Sequence, residues 1–228
     1  MYIELVGTSG AGKTTLANKT RELLGREDIK CATRADFFSA DRKRMYKIFW
    51  SISHFYHMNL TELGFLLTLA KTRNLGFERT AVTIHEHLKL CYQISTINKR
   101  DTLTIWDGGF VQKFANLVMD GVKGEKFISN YIQKRLPADT LLVFLDTSIE
   151  EAISRRLSRE IKLIRFAGKK ISKLTKRGEK RDYLEHTKEA QEATLYELEQ
   201  RGVLTIRLNG DRRPEDNVAA LRNIIKKR

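Results

Sequence analysis

The sequence reads Gly7-Thr8-Ser9-Gly10-Ala11-Gly12-Lys13-Thr14 directly after its first hydrophobic run, and this stretch decides the fold. It matches the pattern G-x-x-x-x-G-K-T in full, with a predicted strand before it and a predicted helix after it. The glycines let successive backbone N–H groups turn inward toward phosphate oxygens, and the N-terminus of the helix adds partial positive charge. Lys13 is expected to reach the β- and γ-phosphates, and the Thr14 hydroxyl is expected to bind Mg²⁺. The stretch therefore predicts a nucleoside triphosphate and Mg²⁺ as ligands, with these residues around the phosphates: Gly7, Ser9, Gly10, Ala11, Gly12, Lys13, Thr14 and Thr15.

Strands and helices alternate after this loop. Hydrophobic runs predict five strands, at residues 2–6, 29–33, 102–107, 140–146 and 203–208. Helical periodicity follows the loop over residues 13–24, and Pro214 is expected to open a C-terminal helix. A capping box opens the helix after the fourth strand, at either Thr147 or Ser148. We therefore expect one α/β domain over residues 1–228, with a five-stranded parallel sheet covered by helices on both faces.

Composition narrows the class of protein. Of 228 residues, 41% are hydrophobic and 31% charged, with only 2 prolines, which excludes a disordered or collagenous chain. Two cysteines, Cys31 and Cys91, are too few for a disulfide framework and indicate reduced thiols in the cytoplasm. The chain opens directly on a predicted strand rather than on a signal peptide. The most hydrophobic long segment, residues 48–70, carries Glu62 and several polar residues, so we expect a buried helix there and no membrane span.

A second Mg²⁺ ligand should end a buried apolar strand, and two aspartates meet that description. Asp107 ends the third predicted strand and Asp146 the fourth. Gly108-Gly109 follow Asp107 and open the backbone at the carboxyl end of a strand, where ligands bind in open α/β sheets. Asp146 begins the next helix, where capping explains it. We therefore expect Asp107 to be the acid on the metal side.

The layout resembles the P-loop nucleoside monophosphate kinases, and thymidylate kinase most closely, over nearly the whole chain. The segment 10–15 is similar to the phosphate loop of that family, and Thr33-Arg34 resembles its Thr-Arg-Glu element, whose arginine meets the acceptor. Residues 137–146, with the helix that continues to Arg155-Arg156, are similar to its fourth strand and the helix leading to its lid. Asn209 to Arg213 lie where such kinases wrap the adenine of ATP. The resemblance implies a three-layer P-loop NTPase fold, ATP and Mg²⁺ as cofactors, and adenine contacts from Arg212 and Arg213.

Three departures from that family concern the acceptor or catalytic side. Ser9 stands where the family has an acidic residue, and Asp107-Gly108-Gly109-Phe110 replaces its Asp-Arg-Tyr. The Thr-Arg element continues as Ala35-Asp36 rather than as Glu-Pro-Gly-Gly. The ATP side is intact. The resemblance therefore supports an ATP-dependent phosphotransferase better than it supports thymidylate as the acceptor.

Residues 155–181 form a predicted basic lid. They include twelve basic and two acidic side chains, a net +10 of the chain's formal +14. In phosphoryl transfer, guanidinium groups delivered by lid closure stabilise the charge of the transition state and exclude water. The candidates are Arg155, Arg159 and Arg165. A solvated basic helix face is the plainer interpretation of such a run, and its surplus charge keeps nucleic acid open as a partner.

Residues 36–100 read as a helical acceptor-binding insertion. Its aromatic-rich start could wall a base, although ordinary core packing explains these residues as well: Phe37, Phe38, Phe49, Trp50, Phe55 and Tyr56. His85-Glu86-His87 lacks the spacing of a zinc motif, because neighbours one or two residues apart do not share a helix face. Arg42 and Arg44 could contact an acceptor phosphate or be exposed charges. The predicted acceptor-binding residues are Arg34, Asp36, Gly108 and Gln112.

The predicted function is transfer of the γ-phosphoryl group of Mg·ATP to a small phosphate acceptor, most simply a nucleotide or nucleoside. Asp107 and Lys13 join the lid arginines as catalytic residues, and a homodimer is compatible with the sequence. Two alternatives remain open: a kinase for a sugar or other metabolite, and a nucleotide-dependent ATPase or switch that acts with nucleic acid.

Overall fold

The computed structural model describes residues 1–33, 102–119, 125–167 and 177–228, together with five single helical residues: Asp36, Gly64, Ile84, Ile94 and Ile97. Several predictions fall outside the described residues. They concern the aromatic-rich segment 37–56 with its arginines, the tripeptide 85–87, Arg34, and the centre of the lid over residues 168–176.

The described strands form one five-stranded parallel sheet, which confirms the predicted α/β class. They are β1 (Tyr2–Val6), β2 (Cys31–Thr33), β3 (Leu103–Asp107), β4 (Thr140–Asp146) and β5 (Leu204–Asn209). Their order across the sheet is β2-β3-β1-β4-β5, and each pairing is parallel. The register sets Leu5 beside Asp107 on one side of β1 and Val6 beside Phe144 on the other. The loop that leaves β1 therefore begins at the carboxyl edge of the sheet, between the ends of β3 and β4.

Helices cover both faces of this sheet. The helices with described bounds are, in chain order, α1 (Lys13–Gly25), α2 (Phe110–Met119), α3 (Glu125–Arg135), α4 (Ile149–Ala167), α5 (Arg177–Glu199) and α6 (Pro214–Lys226). The apolar side chains of α1 and α6 share one core with alternate residues of the strands. Those of α2, α3 and α5 share a second core with the other residues. The result is the three-layer arrangement that the alternation of strands and helices predicts.

The two cores follow from the period of two along each strand. Ile3 and Leu5 are buried against α1 and α6, whereas Tyr2 and Val6 are buried against α2, α3 and α5. A strand that is covered on both faces is hydrophobic at nearly every position. Each fully buried large apolar side chain contributes about 1.5–3 kcal/mol of transfer free energy. Glu4 is the exception in β1, since its side chain is fully buried and ionisable.

Strands β2 and β5 start later than the hydrophobic pattern predicts, because helix-end turns hold the residues before them; β3 also starts one residue later, at Leu103. The backbone N–H of Ile29 donates to Leu24 O at 3.0 Å, which places Ile29 in the turn after α1. The N–H of Val203 donates to Leu198 O at 3.0 Å in the turn after α5. Strand β2 therefore begins at Cys31 and β5 at Leu204.

Among the described residues, no helix is both long enough and apolar enough to cross a membrane. Cys31 is a free, partly buried thiol. Burial raises its pKa to about 11, so it is unreactive as a nucleophile at neutral pH.

Candidate active site

The phosphate loop adopts a backbone that only glycine tolerates at two positions. Gly10 has φ +98° and Gly12 has φ +95°, both in the left-handed region. A Cβ added at Gly10 would lie 2.4 Å from the carbonyl oxygen of Ala152, at the start of α4. The loop thus packs directly against α4 and then turns into α1 at Lys13, the helix end to which anionic phosphates are drawn.

Lys13 lies folded over the start of the loop. Its Nζ donates to Gly7 O at 2.6 Å and to Thr8 O at 2.9 Å. Burial lowers the pKa of Lys13 from 10.5 to about 8; the negative charge of Asp107 opposes this shift and the positive charge of Arg159 adds to it. The first two carbonyl groups of the loop therefore hold the Lys13 ammonium in this structure.

Asp107 and Thr14 meet at the end of the sheet. Thr14 Oγ1 donates to Asp107 Oδ2 at 2.5 Å, because β3 neighbours β1 and both end at the same edge. A hydroxyl and a carboxylate beside a phosphate loop are the oxygen donors that Mg²⁺ prefers. The donor set therefore fits the metal that the sequence predicts.

The other candidate aspartate has a different environment. Asp146 Oδ1 pairs with Lys188 Nζ of α5 at 2.5 Å. The residue that caps α4 is Ser148, whose Oγ accepts the N–H of Glu151 at 3.3 Å. The prediction that capping explains Asp146 was wrong, because the lysine of α5 takes up that carboxylate. Of the two predicted capping boxes, the structure forms only the hydroxyl half of the one at Ser148, because the Ser148 N–H donates to Asp211 Oδ1 at 3.0 Å rather than to Glu151.

A cavity of about 340 Å³ adjoins the phosphate loop. Its size is at the lower end of the range for small-molecule sites, roughly 300–1,000 Å³. Its walls comprise Gly10, Ala11, Gly12, Thr15, Leu16, Leu145, Arg155, Arg159, Pro214 and Asn217. It therefore extends from the loop between α4 and the start of α6.

Residues after β5 contribute one wall of the cavity, and the adenine contacts of Arg212 and Arg213 stay a prediction. Pro214 and Asn217 line this wall, whereas Arg212 and Arg213 are exposed. Arg213 pairs with Asp216 at 3.4 Å within the first turn of α6. Asn217 is buried, and its Nδ2 donates to Asn209 O at 2.9 Å, so it ties α6 to the end of β5.

The three candidate lid arginines differ in their contacts. Arg155 Nη1 donates to Gly210 O at 2.9 Å and to Ala11 O at 3.5 Å, so its guanidinium joins the phosphate loop to the loop after β5. Arg155 Nε also donates to Glu151 Oε1 at 2.7 Å. Arg159 lines the cavity. Arg165 belongs to α4, but its side chain lies outside the described part of the chain.

On the acceptor side, the described residues are held by internal contacts. Asp36 Oδ2 accepts the N–H and the hydroxyl of Thr33 at 2.7 and 3.1 Å, and Asp36 Oδ1 pairs with Arg21 of α1 at 3.0 Å. The Asp36 carboxylate is therefore engaged by α1 and β2. Gln112 Nε2 donates to Gly7 O at 2.9 Å, which directs this side chain at the phosphate loop. Gly108 has φ +67° and forms the turn between β3 and α2.

Two buried polar residues at the site were missed from the sequence. The Glu4 carboxylate accepts hydrogen bonds from backbone N–H groups at the start of α2, and Gln191 Nε2 of α5 donates to Gly7 O at 3.4 Å. Glu4 did give a signal, which was a charge in the middle of an otherwise apolar strand. No such signal marks Gln191, because a glutamine in a long polar helix is expected to be exposed.

The phosphate loop on the central strand of this parallel sheet defines the P-loop fold, in the α/β form that kinases use. A solved structure of deoxyadenosine kinase from M. mycoides, with the products dCMP and a flexible dCDP bound, has a TM-score of 0.56 to this chain. The two are 16% identical, and the match covers 100% of each. The same kinase with bound dCTP gives 0.53 at 16% identity over 100% of both chains. With bound dATP it gives 0.55 at 15% identity, over 99% of this chain and 100% of that one.

No protein-family model and no curated protein sequence matches the chain. At this level of identity, the likeness to the solved structures shows the fold. The specific likeness to thymidylate kinase stays a prediction from the sequence.

Proposed function

We propose that this protein is an ATP-dependent kinase that transfers the γ-phosphoryl group of Mg·ATP to a nucleoside or nucleotide. The observation that carries the proposal is the contact between Thr14 Oγ1 and Asp107 Oδ2, 2.5 Å apart beside a glycine loop with its lysine. Three solved structures of one deoxyadenosine kinase that shares the fold support it, since they contain bound deoxynucleotides. Deoxynucleosides are therefore the first acceptors to test.

The mechanism depends on positioning and on charge. Phosphoryl transfer passes through a loose transition state, so the protein mainly aligns the reactants and neutralises negative charge. Lys13 leaves Gly7 O and Thr8 O and moves to the phosphate oxygens, and the loop N–H groups hold the phosphates. Thr14 and Asp107 would hold Mg²⁺, which would neutralise phosphate charge. Arg155 and Arg159, with Arg165 on the same helix, supply positive charge on the side of the lid.

The acceptor site is proposed to be completed by residues of the segment 36–100, with Arg34 as a candidate contact to the acceptor. Gln112 acts there as a support for the phosphate loop. Asp36 would contact an acceptor only after it leaves Arg21 and Thr33. A thymidylate acceptor has the weakest support, because the departures from that family concern this side of the site.

A panel of acceptors with γ-labelled ATP tests this proposal. Deoxynucleosides, nucleosides, their monophosphates and sugars are each offered with Mg²⁺, and labelled acceptor is separated from labelled phosphate. We expect transfer to one class well above hydrolysis. Lys13→Ala should lower the rate by about 100-fold or more, as for loss of a main charge-stabilising group. Lys19→Ala is the matched control, since Lys19 lies on the same helix and pairs with Glu215 at the surface.

The same panel addresses the nucleic-acid alternative. Hydrolysis without any labelled acceptor, stimulated only by RNA or DNA and falling steeply with salt, would favour an ATPase instead.

A further inference from the structure

Glu4 is a carboxylate with no exposed surface in the centre of the sheet. Burial of an unpaired charge is costly, so a protein keeps one only where partners or function compensate. Burial raises the pKa of Glu4 from 4.5 to about 7, although several hydrogen bonds to it act in the opposite direction. The ionised form thus costs stability near neutral pH, which is the pattern expected of a group that function retains.

The partners of Glu4 are the first backbone N–H groups of α2. The N–H of Phe110 donates to Glu4 Oε2 at 3.0 Å, and the N–H of Gln112 donates to Oε1 at 3.2 Å. The N–H of Val111 also bonds to the carboxylate, and the Tyr2 hydroxyl donates to Oε2 at 3.1 Å. A helix normally gets this cap from the residue before it. Gly108 and Gly109 have no side chain for that purpose, so the neighbouring strand supplies the cap.

The carboxylate also shapes the turn that carries Asp107. A Cβ added at Gly109 would lie 2.7 Å from Glu4 Cδ and 2.8 Å from Tyr2 Oη. Gly108, in the left-handed region, receives a second constraint because its N–H donates to Leu5 O at 3.2 Å. The backbone between Asp107 and α2 is therefore packed directly onto β1. The contact at Gly109 lies only two residues after Asp107, whose carboxylate accepts the Thr14 hydroxyl.

A second connection runs from Glu4 to the phosphate loop. Gln112, whose N–H binds Glu4, uses its side-chain Nε2 to donate to Gly7 O at 2.9 Å. Glu4 is thus linked through α2 to the first peptide of the loop, and through Gly109 to Asp107. Both connections begin at the same carboxylate.

We infer that Glu4 is a positioning residue of the phosphotransfer site, which aligns Asp107 and the Gly7 peptide by holding the N-terminus of α2. It touches neither phosphate nor metal. The inference rests on the proposed function, because it assigns Mg²⁺ to Asp107 and ATP phosphates to the loop. The position of Glu4 also explains the glycine at position 109, whereas the positive φ of Gly108 explains the other.

The test measures binding of N-methylanthraniloyl-ATP by fluorescence while Mg²⁺ is titrated. Glu4→Gln keeps the size of the side chain but replaces one acceptor oxygen by a donor, so an N–H of α2 loses its partner. We expect the half-saturating Mg²⁺ concentration to rise about tenfold, as for loss of a group that orients a metal ligand. Hydrogen exchange at residues 110–112 should become faster in the same variant.

Two further variants separate positioning from general loss of stability. Gln112→Ala removes only the bond to Gly7 O, so it should weaken binding of the analogue a few-fold and leave its Mg²⁺ dependence unchanged. Leu136→Ala removes packing in the core next to α3, close to the amino end of β4. It should lower Tm without affecting analogue binding or its Mg²⁺ dependence.

Binding by Glu4→Gln that equals the wild type would overturn the inference, as would the same Mg²⁺ shift in Leu136→Ala. If Glu4→Gln does not fold, unchanged binding by Gln112→Ala overturns it. A wild type that binds Mg·ATP but phosphorylates no acceptor refutes the proposed function and leaves these binding measurements valid.

Discussion

At the scale of single residues, Lys13 lies at the phosphate loop and has a lowered pKa. Its Nζ lies 2.6 Å from Gly7 O, and burial is the main reason that its pKa falls to about 8. A bound triphosphate brings negative charge to the lysine and so raises its pKa. ATP binding and protonation of Lys13 must therefore be linked.

The linkage predicts the pH dependence of ATP binding. Below pH 8, Lys13 is protonated in both the free and the bound protein, and affinity should be nearly constant. Above pH 8, binding must take up a proton, so affinity should fall about tenfold per pH unit until the lysine of the complex also titrates. Calorimetry in buffers of different ionisation enthalpy measures this proton uptake. An affinity that stays constant from pH 7 to 9.5 would count against this role of the lysine.

We predict different effects when the aspartates at the ends of β3 and β4 are each replaced by asparagine. Asp107→Asn should raise the Mg²⁺ requirement and lower kcat by about 10²–10³-fold, because it weakens a metal-side ligand. Asp146→Asn is the matched control, and it should cost no more than about 1 kcal/mol, since its pair with Lys188 is partly exposed. Mg²⁺ titration of the phosphotransfer rate decides between them. A larger effect at Asp146 would reverse the assignment.

Some site residues could be predicted from the sequence, and others could not, for a physical reason. Thr14 and Asp107 follow from a motif and from a strand end, both of which are local patterns. Glu4 and Gln191 act through contacts with distant segments, and a single sequence does not reveal which buried polar groups meet. Adenine contacts by Arg212 and Arg213 rest on family resemblance and stay a prediction, whereas Pro214 and Asn217 line the cavity beside the loop.

At the scale of elements, the junction between β1 and α2 explains why position 109 is a glycine. Glu4 occupies the space that a side chain at position 109 would need. A side chain of β1 thus restricts which residue can stand just before α2, more than a hundred residues later in the chain.

This junction predicts that Gly109 and Glu4 are coupled. Gly109→Ala should destabilise the fold by about 1–3 kcal/mol through overpacking. In a Glu4→Ala background the cost should be smaller by at least about 0.5 kcal/mol, because one of the two crowding groups is gone. Tyr2 Oη remains, so the relief is partial. Urea unfolding of the four proteins measures the coupling.

Gly25→Ala provides the control for that cycle. A Cβ at Gly25 meets no atom within 4 Å at the end of α1, so this substitution should be neutral or stabilising. Additive costs for Gly109→Ala and Glu4→Ala would show that the two positions do not crowd each other.

At the scale of the whole molecule, the fold class was predictable because apolar runs alternate with helical periodicity. The five strands appear where the hydrophobic pattern places them, within two residues. The order of strands across the sheet was not predictable, since it depends on which strands pair through long crossovers. The net charge of +14 also has a partial structural account, because Arg155 and Arg159 of the basic segment line the cavity beside the loop.

The fate of the γ-phosphoryl group tests the central claim most directly. Protein, Mg²⁺, γ-labelled ATP and a deoxynucleoside are incubated together, and labelled deoxynucleotide is compared with labelled inorganic phosphate. We predict that the label passes mainly to the acceptor, that Lys13→Ala lowers the transfer about 100-fold or more, and that Lys19→Ala does not. Label that appears only as inorganic phosphate with every acceptor of the panel, or full transfer by Lys13→Ala, would contradict the account.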